Sequence, residues 1–265
     1  MNEDKLSKIG ESSVNFQGCP MKIAEYNKRD DIIVEFQDEY KANVHTEYGH
    51  FKRGQVKNPY YPSVFDVGFI GTKYPCYKRI NGKSTQLKEY NTWTGVLERC
   101  YDIKYKAKHP TYKDVTCCEE WLNYENFYEW LHSQDNFDKW LNGKLWAIDK
   151  DILVKGNKIY SPETCCLVPQ VVNTLFLRNN GKKNSDLPIG VRKSRNKFRA
   201  LCSTPYDNKN KHIGMYETSD DSFYFGYKPF KEDTIKQVAK EEYSKGNITK
   251  QCYEAMMNYE VEITD

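Results

Sequence analysis

Residues 146–173 read WAIDKDILVKGNKIYSPETCCLVPQVVN. A strand-like run ends at Asp149-Lys150-Asp151, and apolar residues resume directly after the three charges. A charge taken out of water is costly unless something pairs with it. Two readings follow: the charges lie on a solvent-facing hairpin with its turn at Lys155-Gly156-Asn157, or they converge on a metal ion. Pro169 then opens a short helix, PQVVNTLFLR, because proline suits the first helical position. The expected order is hairpin, loop, helix.

The chain has 265 residues, room for two or three small domains. Only 38% of residues are hydrophobic, so the core must draw on 21 Tyr, 12 Phe and 5 Trp. That aromatic content argues against disorder. No stretch approaches the roughly 18 apolar residues of a membrane helix. The start, MNEDKLSKIGESS, lacks the apolar run of a secretory signal. Nine cysteines, an odd number, are expected as reduced thiols in a cytoplasmic protein. Cys117-Cys118 and Cys165-Cys166 are adjacent pairs, a spacing that does not suit a tetrahedral zinc site.

A net charge of +3 hides segregation. Residues 52–113 carry 13 Lys and Arg against 4 Asp and Glu, and residues 178–216 carry 10 against 2. The segments between and around them are acidic. Two basic blocks with interleaved Tyr and Phe on a nearly neutral chain point to localised polyanion surfaces.

The periodicity predicts an α+β protein. MKIAEY, DIIVEF and VFDVGFIG read as strands of a small β module over 1–84, closed by NGKS as a linker. LKEYNTWTGVLERCYD (87–102) and CEEWLNYENFYEWLHSQ (118–134) carry apolar residues at helical spacing, with a basic loop, KYKAKHPTYKDV, between them. A central segment, 85–178, ends at a polar linker, 179–186. Over 179–265 three short strands precede a long helix from Ser219 to Ser244, which Pro229 should interrupt. A final helix, ITKQCYEAMMNY, follows.

The segment 146–173 resembles the ββα-metal module of HNH nucleases. Asp149 matches the metal-binding Asp of that family, Pro162-Glu163-Thr164-Cys165 its turn, and Asn173, nine residues after Thr164, its second metal ligand. Lys150 stands where the family has its histidine base, and Thr164 where the family has the asparagine that orients it. Lys150 is a poor base unless burial lowers its pKa. Asp151 is the candidate substitute, but strand alternation would put it on the face of Asp149 rather than that of Lys150, as a second metal ligand. The resemblance implies Mg2+ (or Mn2+) at Asp149 and Asn173, with Lys150 and Asp151 as the catalytic groups.

Residues 187–261 resemble the APETALA-type DNA-binding domain, three strands packed on one helix. The match runs through Gly190-Val191, Arg199-Ala200, Ile213-Gly214-Met215-Tyr216 and Thr218, whereas Phe223-Tyr224-Phe225-Gly226 replaces that family's small helix residues. The sheet of that family enters the major groove. The resemblance therefore implies that Arg192, Arg195, Lys197, Arg199, Lys211 and His212 contact double-stranded DNA. The N-terminal stretch resembles an accessory module of phage HNH proteins. Together the resemblances imply a phage-type HNH-family DNA endonuclease or nickase in the cytoplasm of an infected bacterial cell, with no membrane partner. The alternative is a degenerate relative that binds DNA as a regulator, or that inhibits a host defence protein.

Overall fold

The computed structural model describes residues 7–176, 187–206 and 210–263. The linker expected at 179–186 lies outside the described residues. The protein is α+β, as its periodicity predicts, and divides into two compact units, Met1–Leu131 and His132–Asp265. No described helix is long and apolar enough to cross a membrane.

In the first unit, β1 (Ser12–Val14), β2 (Pro20–Lys28), β3 (Asp31–Phe36) and β4 (Asn43–Thr46) form an antiparallel sheet in that order. Met21 and Ile23 on β2 and Ile32, Val34 and Phe36 on β3 recur at a period of two and are buried. Helix α1 (Tyr48–Lys52) adds Phe51 to that core. The strand expected over 64–71 is instead a tight turn. Phe65 and Asp66 have φ of +52° and +60°, and the backbones of Val64 and Gly68 bond to each other across them. The expected linker NGKS is also a turn. It joins β5 (Tyr77–Ile80) to β6 (Lys83–Gln86), with Asn81 and Gly82 both at positive φ, the conformation that makes Asn-Gly a hairpin turn.

Helix α2 (Lys88–Tyr101) buries Tyr90, Trp93, Val96, Leu97 and Cys100, the spacing read from the sequence. Helix α3 (Ile103–Lys108) and a 3-10 turn (Pro110–Tyr112) follow. The single helix expected over 118–134 is divided. A 3-10 turn (Glu119–Leu122) precedes α4 (Tyr124–His132), and the Asn123 side chain between them accepts the Glu125 N–H. An asparagine that satisfies a helix's first donors favours a start at that point.

In the second unit, α5 (Phe137–Asn142) precedes β7 (Trp146–Asp149). The partner of β7 is not the segment just past Lys155-Gly156-Asn157. It is β8 (Cys166–Pro169), antiparallel, with Asp149 opposite Cys166 and Trp146 opposite Pro169. The expected hairpin is thus a wide connection, 150–165, which carries only a two-residue strand, Ile159–Tyr160. Residues 158–164 are largely polar and contain Pro162, whereas Cys166, Leu167 and Val168 are all buried. Only the later run can cover β7 with apolar surface. Helix α6 (Gln170–Phe176) continues from β8.

Strands β9 (Val191–Ser194), β10 (Lys197–Ser203) and β11 (Asn210–Tyr216) form an antiparallel sheet, and Val191, Ala200 and Cys202 on its inner face are buried. The helix behind it starts at Thr218, whose hydroxyl accepts the Asp221 N–H. It runs through α7 (Ser219–Asp221), a π-helical segment (Ser222–Tyr227) and α8 (Lys228–Ser244). Pro229 does interrupt it, as a change of helix type. Proline can neither donate to an interior turn nor fit under its carbonyls, and the helix is wide just before it. Helix α9 (Lys250–Met257), capped by Thr249, ends the unit.

One hydrophobic cluster joins the β8–α6 segment to the later sheet and its helices. Ile152, Cys166, Val168, Val172 and Leu175 pack in the same cluster as Val191, Cys202, Phe223, Val238 and Met256. The expected boundary near 178 therefore does not separate two cores, and the segment 85–178 is split between the units instead. The helix comes close to the sheet at Gly226, where an added Cβ would lie 2.6 Å from the Ala200 Cβ. We expect Gly226→Ala to destabilise the protein by about 1–3 kcal/mol through overpacking. A lowered urea midpoint with an unchanged m-value checks it.

Candidate nucleic-acid face and its supporting loop

The three charges that follow β7 divide into two separate structures. Asp149 closes the strand. Its Oδ1 accepts the N–H groups of Asp151 and Ile152 at 2.8 and 2.9 Å, so the carboxylate holds the chain as it turns out of the sheet. Burial pushes this carboxyl above the usual carboxylate range, against the pull of the two N–H donors. Lys150 turns inward and is 7% exposed. Its Nζ donates to Asp151 Oδ1 at 2.7 Å and to the Asn157 carbonyl at 2.9 Å, and lies 6.0 Å from the Tyr160 ring centre. The Asn157 amide in turn donates to the carbonyls of Lys150 and Ile159. The ammonium thus ties the two ends of the 150–157 loop together.

This overturns the alternation argument for Asp151. The strand ends at Asp149 and the next residues bend, so Asp151 meets Lys150 rather than joining Asp149. Asn173 is half-buried on α6 and shares no hydrogen bond with Asp149 among the described residues. The carboxylates of this group serve the loop itself. One Asp149 oxygen is engaged by the backbone and Asp151 by an ammonium. No three of His, Cys, Asp and Glu among the described residues come together as metal ligands. Thr164, at the position of the family's orienting asparagine, donates to the Ile159 carbonyl and so also serves the loop. Sequence reasoning missed Asn157, which is the other half of the Lys150 tie. The signal for it is the Lys155-Gly156-Asn157 turn, which brings Asn157 back to Lys150.

The basic residues of the last sheet separate by face. Arg192 on β9 is directly opposite Arg199 on β10, which is opposite Met215 on β11. Ala200, the next residue on β10, points into the core, so this row faces outward. Among the described residues neither arginine is paired with a carboxylate, and the Arg199 Nε is buried with no hydrogen-bond partner. Lys197 lies on the same face, but Glu217 neutralises it. Arg195 occupies the β9–β10 turn at φ +55° and is exposed. A register shift between Ala200 and Leu201 puts His212 opposite Leu201 on the outer face and Lys211 opposite buried Cys202. Lys211 accordingly reaches back over the Phe230 ring of α8, 5.0 Å from its centre. The bulge thus puts Lys211 on the side of the sheet opposite Arg192 and Arg199.

Behind the face, Gly190 explains its place in the Gly-Val pair. It has φ +75°, and a Cβ there would fall 2.0 Å from the Tyr227 ring. Gly226 leaves room for the close approach of Ala200, while Phe223 fills the core.

No family model, no curated protein and no solved structure matches this chain.

The Asp149 carboxyl supplies a test of its structural role. A carboxyl raised in the folded state holds more protons folded than unfolded, so its contribution to stability falls as pH climbs through the raised value. Asp149→Asn keeps an Oδ1 acceptor and removes the charge. We expect it to match wild type near pH 3 and to gain in melting temperature over wild type by about pH 7. Asp149→Ala leaves two N–H groups without their acceptor and should cost about 1–3 kcal/mol at both pH values. Thermal melts of the three proteins across that range decide it. An Asn variant as unstable as the Ala variant at neutral pH would show that the charge itself is needed.

Proposed function

We propose that the chain binds double-stranded DNA through the outer face of β9–β11, and that the β7–β8–α6 module supports that face rather than hydrolysing DNA. The observation that carries the reading is the Arg192–Arg199 pair. Like charges directly opposite each other across two strands are destabilising. Here the pair has no acidic partner among the described residues, and one guanidinium N–H is buried without an acceptor. A polyanion on that face would relieve both costs, and arginine suits phosphate and guanine edges because its planar fork donates two bonds at once. The charge bias of residues 178–216 and the resemblance to APETALA-type domains support the same partner.

A hydrolytic reading with Mg2+ at Asp149 and Asn173 has the strand–loop–strand–helix order in its favour. It would place the metal on the Asp149 oxygen that the backbone does not engage. Incubating supercoiled plasmid with the protein, in Mg2+ or in EDTA, tests it: metal-dependent nicking lost in Asp149→Ala but kept in a loop variant such as Asn157→Ala would favour the nuclease.

For the binding reading, Arg199→Ala should weaken duplex affinity by about 1–3 kcal/mol if it reads a base edge, and relax sequence preference. Arg192→Ala should weaken all sequences alike and make the salt dependence shallower by about one phosphate contact. Lys211→Ala should leave affinity unchanged, because its ammonium lies on the helix side of the sheet. Fluorescence anisotropy with labelled duplexes at several salt concentrations measures all three. Equal losses for Lys211→Ala and Arg199→Ala would place the ligand elsewhere.

A further inference from the structure

The first basic block is left over by this reading, and one part of it is built to face outward. Helix α3 buries none of its residues. A six-residue helix is too short to be stable by itself in water, so local ties must hold it. Asp102 caps it, its carboxylate accepting the Tyr105 N–H at 2.8 Å. Lys106 Nζ donates to the carbonyls of Lys113 and Val115 at 3.2 and 3.1 Å, fastening the helix to the turn that follows. Tyr105 packs on the rings of His109 and Tyr112, with centres 4.4 and 5.7 Å away. The result is a braced spur, residues 102–113, which adds nothing to the core and holds Lys104, Lys108, His109 and Lys113 exposed.

We propose that this spur is a second nucleic-acid contact, taking the phosphate backbone of duplex DNA. The inference rests on the DNA-binding reading above. Charge complementarity names the occupant. Over 102–113 four lysines meet one acid, Asp102, whose carboxylate serves the cap. Three of those lysines, Lys104, Lys108 and Lys113, lie exposed beside an aromatic cluster, the composition that polyanion surfaces favour. Lys106 is structural, since its ammonium is already bound to backbone. The spur carries no arginine fork and no deep pocket, so it positions the duplex and does not read sequence.

The test compares full-length proteins on a mixed-sequence labelled duplex, reading the slope of log affinity against log salt. The spur variant is Lys104→Ala with Lys108→Ala and Lys113→Ala. The sheet variant is Arg192→Ala with Arg199→Ala. The spur variant should melt like wild type, because no side-chain bond is lost. Its salt slope should be shallower by about 2–3, at about 0.9 per phosphate released, with sequence preference unchanged. Replacing the same three lysines by arginine should restore the slope. An unchanged slope in the spur variant, with a shallower slope in the sheet variant, overturns the spur and leaves the sheet reading standing. A shallower slope in the spur variant alone keeps the spur and removes the sheet. Wild-type protein that binds no duplex overturns both.

Discussion

The second unit is organised by how closely a helix can approach the middle strand of its sheet. Gly226 and Ala200 present almost no side chain to each other, and Tyr227 lies against Gly190 at the neighbouring point. That contact decides which face of β10 is inner. With Ala200 and Cys202 turned inward, strand alternation leaves Lys197 and Arg199 no choice but to face water. The arginine pair is thus a consequence of packing on the other side of the sheet. The same core reaches β8 and α6 through Cys166, Val168 and Val172, so the strand–loop–strand–helix module cannot be taken away without exposing the back of the sheet.

Lys150 shows how a buried charge is kept. An ammonium at 7% exposure needs acceptors, and the loop provides a carboxylate one residue away and a carbonyl seven residues away. A half-exposed partner such as Asp151 keeps some hydration, which lowers the desolvation penalty that makes fully buried pairs weak. The lysine therefore works as a clasp on an irregular loop that lacks a strand ladder of its own. A histidine at 150 could not reach as far, and a catalytic pair there would have to be built at the expense of the clasp.

The parts of this architecture legible in the sequence were those carried by period. Met21, Ile23, Ile32 and Val34 announce paired strands, and Trp93, Val96, Leu97 and Cys100 announce a helix. Thr218 and Thr249 mark helix starts by their hydroxyls. Turn chemistry is also legible: Asn81-Gly82 is a strong hairpin signal, and the linker expected there is that turn. Phe65 and Asp66 gave no such signal, because bulky residues rarely adopt positive φ and only tertiary contacts can hold them there. Strand partnership was hidden for a different reason. Nothing local tells β7 that its partner lies beyond a wide loop, since that choice depends on which run can cover it. The candidate site followed the same rule. Arg192 and Arg199, expected from the resemblance, are turned outward by alternation, whereas a register shift turns Lys211 to the other face.

Charge segregation is the remaining constraint, and it reaches beyond pairing statistics. A chain close to neutral overall avoids the self-repulsion of a strongly basic protein, yet it can still present positive surfaces if its acids are used elsewhere. Many of the acids here are used. Glu125 accepts the N–H groups of Thr72 and Lys73, Asp149 closes β7, Glu232 holds the Val261 N–H, and Glu242 bonds Lys245 and Asn247. Each carboxylate that serves the backbone or a local lysine is one fewer to neutralise Arg192 or Arg199. The outward positive charge of the sheet is therefore set as much by where the acids are bound as by where the arginines stand. By the same logic, Glu217 beside Lys197 limits how far the positive face extends toward the end of β11.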